Sequence, residues 1–326
     1  MEWKGRVRAM SEPHRRDLTV AGWMERRTFR AEDFDLDSLL VAKGDLSISA
    51  LLPAREVAAT IAEVVGPLVR LRRAGLIDEV VVIDAGSTDG TATIAADAGA
   101  TVHQRADLLG RFGPPLGKGD GIWRGLSVTS GDIVMMFDTD TQNFGEHFAL
   151  GLVGPLLTDP GVSFVKGAFD RPLHLGDVVI EGEGGRVTEL VARPLLNMFV
   201  PQLAGFLQPL AGEVAGRREL FEDLSVPVGY GVEVAMLIDA LASVGLEGMA
   251  QVDLGTRVDC GQPLKELSLM AYTVTATILR RTFGSDLSQV PNGVLLPSSD
   301  GVDLRAVFLD ERPPLRMTLE EEAAEG

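Results

Sequence analysis

Two aspartates one residue apart, Asp138 and Asp140, end the apolar run Ile133-Val134-Met135-Met136-Phe137. A strand alternates its side chains between faces, so a strand-like exit turns both carboxylates to one side and Thr139 to the other. Left bare, the pair repels itself and holds its protons more tightly. A hard divalent cation turns the same crowding into a binding site. The competing reading is a pair of solvated acids at a strand end. Two further polar clusters, Pro53-Ala54-Arg55-Glu56 and Asp84-Ala85-Gly86-Ser87, also stand where apolar runs stop, and this company favours the metal.

The runs that deliver these clusters alternate with helical patterns. Leu46 to Pro53 reads as a strand, and Val57, Ile61, Val64, Leu68 and Leu71 follow at spacings of three and four. Glu79 to Asp84 reads as a second strand, Gly86-Ser87-Thr88-Asp89 supplies turn and capping chemistry, and Thr91 to Ala98 continues as a helix. Thr101 to Gln104 is a third strand. A Gly/Pro-rich loop over 110–121 and another helix precede the strand with the two aspartates. Such alternation predicts an α/β fold: a doubly wound, mostly parallel sheet, Rossmann-like over residues 45–160, with ligands at the carboxyl ends of its strands.

Residues 161–285 are less regular. Val162 to Phe169 and Ala250 to Val258 read as strands; Gly231 to Val244 and Leu264 to Leu279 read as helices, as does Val187 to Met198, broken early by Pro194. Residues 1–44 read as an N-terminal arm packed on the body. Residues 286–326, with Pro291, Pro297, Pro313, Pro314 and Glu320-Glu321-Glu322, read as a solvated extension.

Composition excludes several function classes. The 326 residues are 45% hydrophobic and 24% charged, which suits a globular chain with a large core. No apolar stretch is long enough to cross a bilayer, and Lys4, Arg6, Arg8, Arg15 and Arg16 precede no apolar block, so no secretory signal is read and a cytoplasmic protein is expected. The single cysteine, Cys260, forms no internal disulfide and builds no thiolate metal cage. A formal charge of −17 argues against nucleic-acid or anionic-membrane partners. Any phosphate must be met by locally placed Arg, Lys or backbone amides.

Strand ends that converge in one crevice suit a nucleotide. It is not a dinucleotide of the usual type, because no G-x-G-x-x-G follows the first strand. Nor is Gly117-Lys118-Gly119 a P-loop, since Phe112 stands at the first glycine position and Gly119 where Ser or Thr should follow the lysine. Leu-Leu-Pro-Ala (51–54), Asp-Ala-Gly-Ser-Thr-Asp-Gly-Thr (84–91), Gly-Lys-Gly (117–119), Asp-Thr-Asp (138–140), Gly-Gly-Arg-Val-Thr-Glu-Leu-Val-Ala-Arg-Pro-Leu-Leu (184–196), Gln-Pro-Leu-Ala-Gly-Glu (208–213) and Gly-Tyr-Gly-Val-Glu (229–233) together resemble the glucosyl- and mannosyl-3-phosphoglycerate synthases, retaining glycosyltransferases of the GT-A fold. The resemblance runs in order from about residue 46 to 270, and its Gly-Gly-Arg-Val-Thr block is far more specific than Asp-x-Asp.

That resemblance implies a GT-A sheet with an irregular acceptor-binding half, a nucleotide-sugar donor, a divalent metal on its diphosphate, D-3-phosphoglycerate as acceptor, and a homodimer. By position, Pro53, Ala54, Glu56 and Ser87 would line the base and ribose pocket with Lys118 nearby; Asp138 would face ribose and sugar, and Asp140 would ligate the metal. Leu207 would approach the sugar through its backbone, Glu233 would hold sugar hydroxyls, and Arg257 would meet the diphosphate. Gly185, Arg186, Val187 and Thr188 would hold the acceptor. Here the residue types agree: paired glycines let backbone approach a helix start whose amides suit an anion, and Arg186 and Thr188 add donors. An ordinary turn is the alternative reading of Gly184-Gly185, and a helix cap that of Glu233. Lys166, Arg171 and Arg193 read as solvated.

Where relatives carry Arg-x-His, this chain has Arg257-Val258-Asp259, so either Asp259 or water takes the place of the third metal ligand, and Gly261 stands where relatives carry an acceptor-contacting asparagine. An anionic oxygen there suits Mg2+, with Mn2+ or Co2+ as alternatives. Because the departures fall in the loop where glucose-specific relatives are most regular, GDP-mannose is the favoured donor, with GDP-glucose and UDP-glucose as alternatives. The product would serve compatible-solute or polysaccharide-precursor synthesis. Competing functions are a sugar-phosphate nucleotidyltransferase, which usually opens with a glycine-rich basic loop unlike Pro53-Ala54-Arg55-Glu56, and a noncatalytic nucleotide-sugar-binding module.

Overall fold

The computed structural model describes residues 13–175, 178–180, 184–258, 264–284, 290–299 and 301–319. Asp259, the expected metal ligand, lies outside the described residues, as do Cys260, Gly261 and the acidic run from Glu320. The chain opens with α1 (Pro13–Arg27), β1 (Thr28–Arg30) and α2 (Leu36–Lys43). The alternating part follows: β2 (Ile48–Ala54), α3 (Ile61–Arg73), β3 (Glu79–Asp84), α4 (Thr91–Asp97), β4 (Thr101–Gln104), α5 (Lys118–Leu126), β5 (Ile133–Met136) and α6 (Glu146–Thr158). The second half holds β6 (Phe164–Asp170), a hairpin of β7 (Leu173–Leu175) and β8 (Val178–Ile180), a π-helical turn (Thr188–Ala192) running into α7 (Arg193–Phe199), β9 (Val214–Arg217), α8 (Arg218–Glu222), β10 (Val226–Pro227), α9 (Val232–Val244), β11 (Met249–Thr256) and α10 (Leu264–Phe283). Strands β12 (Gly293–Ser298), β13 (Gly301–Ala306) and β14 (Glu311–Arg312) complete it.

One eight-stranded sheet runs in the order β1-β11-β6-β9-β5-β2-β3-β4, and every pairing is parallel except those of β9 with β5 and β6. Both faces are covered, which is why the strands read as continuous apolar runs. Ala50, Leu52 and Ala54 of β2 join one core with α3 and α6; Leu51, between them, joins the other with Ile83, Ile122 and Trp123. The pleat thus feeds two hydrophobic layers, and the loops at the carboxyl edge remain free for chemistry.

Three features depart from the expectations. Pro194 does not break its helix: backbone hydrogen bonding widens to a π-turn just before it, and Pro194 sits in the first turn of α7, where a missing N–H costs little. Helix α6 carries no amphipathic stripe because it is covered all round; Phe34 from the N-terminal segment presses so close to Gly154 that an added Cβ would lie 2.3 Å from its ring. The tail is not simply solvated. Val307, Leu309 and Leu315 are buried, and β14 pairs with β10. Arg312 Nε donates to Asp120 Oδ1 at 2.6 Å, and Trp123 Nε1 donates to the Pro313 carbonyl at 2.8 Å. The prolines that suggest a solvated segment leave carbonyls free to accept, and the segment buttresses the helix that begins at Lys118. No helix among the described residues is long and apolar enough to cross a membrane.

Candidate active site

The carboxyl ends of β2 and β5 are tied together by the residue between the two aspartates. Thr139 Oγ1 donates to the Pro53 carbonyl at 2.9 Å, and the Thr139 carbonyl accepts from Thr60 Oγ1 at 2.7 Å. With Thr139 turned inward, Asp138 and Asp140 turn to the opposite side and meet one guanidinium. Arg257 Nη1 lies 3.0 Å from Asp138 Oδ2, and Nη2 lies 2.8 Å from Asp140 Oδ1. Asp138 Oδ1 accepts from Lys118, whose ammonium also lies 2.6 Å from Glu233 Oε1.

Lys118 reaches this point because the Gly-Lys-Gly turn presses on the strand opposite. A Cβ on Gly119 would stand 1.9 Å from the Pro227 carbonyl oxygen, so only glycine admits that approach. On the far side of the site Gly185 adopts φ +71°, a left-handed conformation that favours glycine, and leads into the helical turn with Arg186, Val187 and Thr188.

One cavity of about 880 Å³ runs past Pro53, Ala54, Lys118, Asp138, Asp140, Glu233 and Arg257 to Arg171 and Gly185–Thr188. Glu56, Ser87 and Leu207 do not line it. The Glu56 amide donates to Ser87 Oγ at 2.9 Å and its carboxylate accepts from the Thr88 amide at 2.8 Å, so the two residues brace adjacent loops. The Leu207 carbonyl accepts from Arg193 Nη2 at 2.8 Å, and its amide donates to Gln251 Oε1 at 2.8 Å.

Electrostatics explain why so many charges share the site. Burial by itself would raise the Asp138 carboxyl, but Lys118 and Arg257 outweigh it and hold it well below the usual carboxylate range. Burial would likewise lower Lys118, yet Asp138 and Glu233 raise it above the ordinary lysine value. Behind them lie two charges that the sequence did not bring forward. Glu213, fully buried, accepts from Arg257 Nη1 at 3.2 Å, and burial pushes it up to about 7 despite the guanidinium. Lys166, expected to be solvated, is also fully buried, and burial takes its ammonium down to about 8, with Glu233 only partly offsetting the fall. Its strand is central to the sheet, so both faces are covered. Its one sequence signal is a lone charge in the apolar run Phe164 to Phe169. Arg171 lines the cavity, and Arg193 holds Glu189 and the 206–207 backbone instead of standing free in solvent.

The raised Glu213 carboxyl has a measurable consequence. A group protonated more readily in the fold than in the unfolded chain stabilises most below its unfolded value, and that stability is lost as pH rises through its folded value. Stability should therefore fall between pH 4.5 and about 7 by on the order of 3 kcal/mol from this residue. In Glu213→Gln the loss should vanish from unfolding curves taken across that range, whereas an unchanged pH slope would contradict it.

Asp140 lines the cavity with its side chain 49% exposed and can offer a carboxylate oxygen to a divalent ion. Both Asp138 oxygens are instead bonded to Lys118 and Arg257, so the residues present fit a metal centre built on Asp140. Among the described residues no cluster of three or more His, Cys, Asp or Glu side chains supplies a complete ligand set, so water or a bound diphosphate would fill the remaining positions.

Comparison with known proteins agrees with this geometry. Residues 49–171 match the Glycosyl transferase family 2 model. The chain is 41% identical over 302 residues to a glucosyl-3-phosphoglycerate synthase of Mycolicibacterium smegmatis, covering 90% of this chain and 97% of that one. A mannosyl-3-phosphoglycerate synthase from Rubrobacter xylanophilus superposes with TM-score 0.82 at 41% identity, over 91% of this chain and 99% of the other. Glucosyl-3-phosphoglycerate synthase from Mycobacterium tuberculosis, solved with Mn2+, UDP-glucose and phosphoglyceric acid, superposes with TM-score 0.79 at 40% identity, over 87% and 95% of the two chains. With its GT-A sheet and its paired aspartates at a strand end, the chain belongs to the glucosyl- and mannosyl-3-phosphoglycerate synthase family and is a hexosyltransferase.

Proposed function

We propose that the protein transfers glucose from UDP-glucose to D-3-phosphoglycerate with retention of anomeric configuration, releasing UDP. The observation that carries this reading is the single cavity joining the Pro53–Ala54 strand end, through Asp138, Asp140 and Arg257, to the helix mouth at Gly185–Thr188. Such a cavity seats a nucleotide diphosphate and an anionic acceptor side by side. The lean toward GDP-mannose gives way to UDP-glucose, because the M. tuberculosis relative was solved with UDP-glucose and the curated M. smegmatis relative is named for glucosyl transfer. A divalent cation, Mn2+ in that relative, would be held by Asp140 and would neutralise charge growing on the leaving diphosphate. The preference for Mg2+ over Mn2+ is tested by the same assay.

In this reading Arg186 and Thr188 orient the acceptor through its phosphate or carboxylate. Glu233 accepts hydrogen bonds from the sugar hydroxyls, and Arg257 faces the diphosphate from behind the aspartates. The bond from the anomeric carbon to the diphosphate breaks and one to the acceptor hydroxyl oxygen forms on the same face; the hydroxyl proton passes to the departing phosphate oxygen. A double displacement needs a carboxylate beneath the sugar. Asp138, with both oxygens bonded to cations, and Glu233, paired with Lys118, are poorly free for that role.

The test is a panel of UDP-glucose, GDP-glucose and GDP-mannose with D-3-phosphoglycerate, each with Mg2+, Mn2+, Co2+ or chelator. UDP release that requires acceptor and metal, with a product of retained configuration by NMR, is expected. Pyrophosphate production from a nucleoside triphosphate and a sugar phosphate would make the protein a nucleotidyltransferase. Donor binding without acceptor-dependent release would make it a binding module.

A further inference from the structure

Beyond Asp140 the chain turns back at once. Phe137 and Phe144, on either side of the segment that holds both aspartates, are buried, and their rings meet edge to face with centroids 5.2 Å apart. The residues between them form a loop on a packed base. Asn143, the last of these, is exposed, yet its side-chain amide bonds backbone 113 and 115 positions away. Nδ2 donates to the Thr256 carbonyl at 2.6 Å, and Oδ1 accepts from the Val258 amide at 2.9 Å. The Gln142 amide donates to the Val258 carbonyl at 2.9 Å.

The residue these bonds enclose is Arg257. Strand β1 pairs with β11 only as far as Asp253, and the register of β11 against β6 shifts between Asp253 and Thr256. A bulge of this kind re-aims the side chains that follow it and interrupts the ladder. On the inner edge the Arg257 amide donates to the Asp170 carbonyl at 2.9 Å; on the outer edge Asn143 and Gln142 stand where a strand would. The guanidinium then returns to the loop through its 2.8 Å contact with Asp140. Loop and strand end are joined through backbone and side chain alike. An exposed amide is hydrated equally well in water, so these bonds matter chiefly for where they hold the backbone.

We propose that Asn143 is a positioning residue for the metal-diphosphate: acting as a stand-in peptide group, it holds the 256–258 backbone against the aspartate loop, so that Asp140 and Arg257 meet the metal and the diphosphate at a fixed separation. This rests on the reading of Asp140 as metal ligand and Arg257 as the cation that faces the diphosphate. The nucleoside end of the cavity, at Pro53 and Ala54, belongs to β2 and is tied by Thr139 instead.

Asn143→Leu keeps the branched shape without donor or acceptor, and Asn143→Ala removes it. Paramagnetic resonance titration of Mn2+ in the presence of UDP, on wild type and both variants, is the test. Mn2+ affinity should fall about tenfold in both, the lower end of the loss seen when a group that orients a metal ligand is removed. Uridine, which lacks the diphosphate, should bind within about twofold of wild type by NMR titration, and the thermal midpoint should move by less than about 3 °C. In turnover with UDP-glucose and D-3-phosphoglycerate, the KM for Mn2+ should rise while kcat at saturating metal changes little. A merely structural role would lower kcat through loss of active protein and leave KM alone. Unaltered Mn2+ affinity, equal weakening of uridine, a lower kcat at unaltered KM, or failure of both variants to fold would each overturn the proposal. Wild-type protein that takes up no Mn2+ with UDP would count instead against the functional reading itself.

Discussion

Asp140→Ala is expected to lower turnover by a factor of about 10³ or more with metal, donor and acceptor all saturating, which corresponds to roughly 4 kcal/mol of lost transition-state stabilisation. The loss should be chemical and not structural. The Asp140 side chain is 49% exposed, and its ion pair with Arg257 is the outermost of that arginine's contacts, so folding stability should change by less than about 1 kcal/mol. Initial rates and urea unfolding on the same preparation separate the two effects. Turnover near the wild-type value would remove the aspartate pair from the chemistry and with it the proposed role of the metal.

Arg257→Leu should do the reverse and damage fold and site together. One guanidinium, 3% exposed, serves Asp138, Asp140 and the fully buried Glu213, and it packs over the Phe169 ring at 5.2 Å. Removing it leaves Glu213 in the interior without its cation and Asp138 with Lys118 alone. Breaking a buried pair from one side typically costs about 3–5 kcal/mol. A loss near the lower end is expected in urea unfolding at pH 9, where Glu213, which burial raises to about 7 beside Arg257, is ionised in the wild-type fold. At pH 7 Glu213 takes up a proton instead, and the loss is smaller. Adding Glu213→Gln should recover most of it, because the residual cost is an uncompensated charge and not a missing contact. Loss of UDP affinity should persist in the double variant, since the guanidinium would still be absent from the diphosphate. Additive destabilisation by the two changes would mean that Arg257 acts mainly through packing.

Residues that act through local pattern are legible in the sequence, and those that act through distant contacts are not. Strands over Glu79–Asp84 and Thr101–Gln104 were readable to the residue, because each is a compact β-branched or apolar run between turn residues. Asp138 and Asp140 were readable because alternation in a strand needs no knowledge of neighbours. The helix start after Gly184-Gly185 follows from adjacent positions, but its reading as an anion site rested on the family resemblance, since the glycine pair alone reads equally as an ordinary turn. Strand β9 escaped notice because four residues without alternation, Val214 to Arg217, become a strand only when β5 and β6 lie on either side. Helix α6 escaped because burial all round erases the stripe on which helix recognition depends.

What the amino-acid sequence determined by itself is the set of parts: apolar runs that must become a covered sheet, two aspartates that must share a side, glycines that must admit backbone, and a net charge that leaves phosphate binding to a few placed cations. Tertiary structure decided which charges meet. Arg257 reaches Asp138 across 119 positions of sequence, Lys166 and Glu213 lose solvent only because central strands cover them, and Arg312 braces the Lys118 helix from a tail that reads as polar. The physical reason is range. Side-chain alternation and turn chemistry act over a few residues, whereas desolvation and ion pairing depend on what the completed sheet brings within a few ångströms.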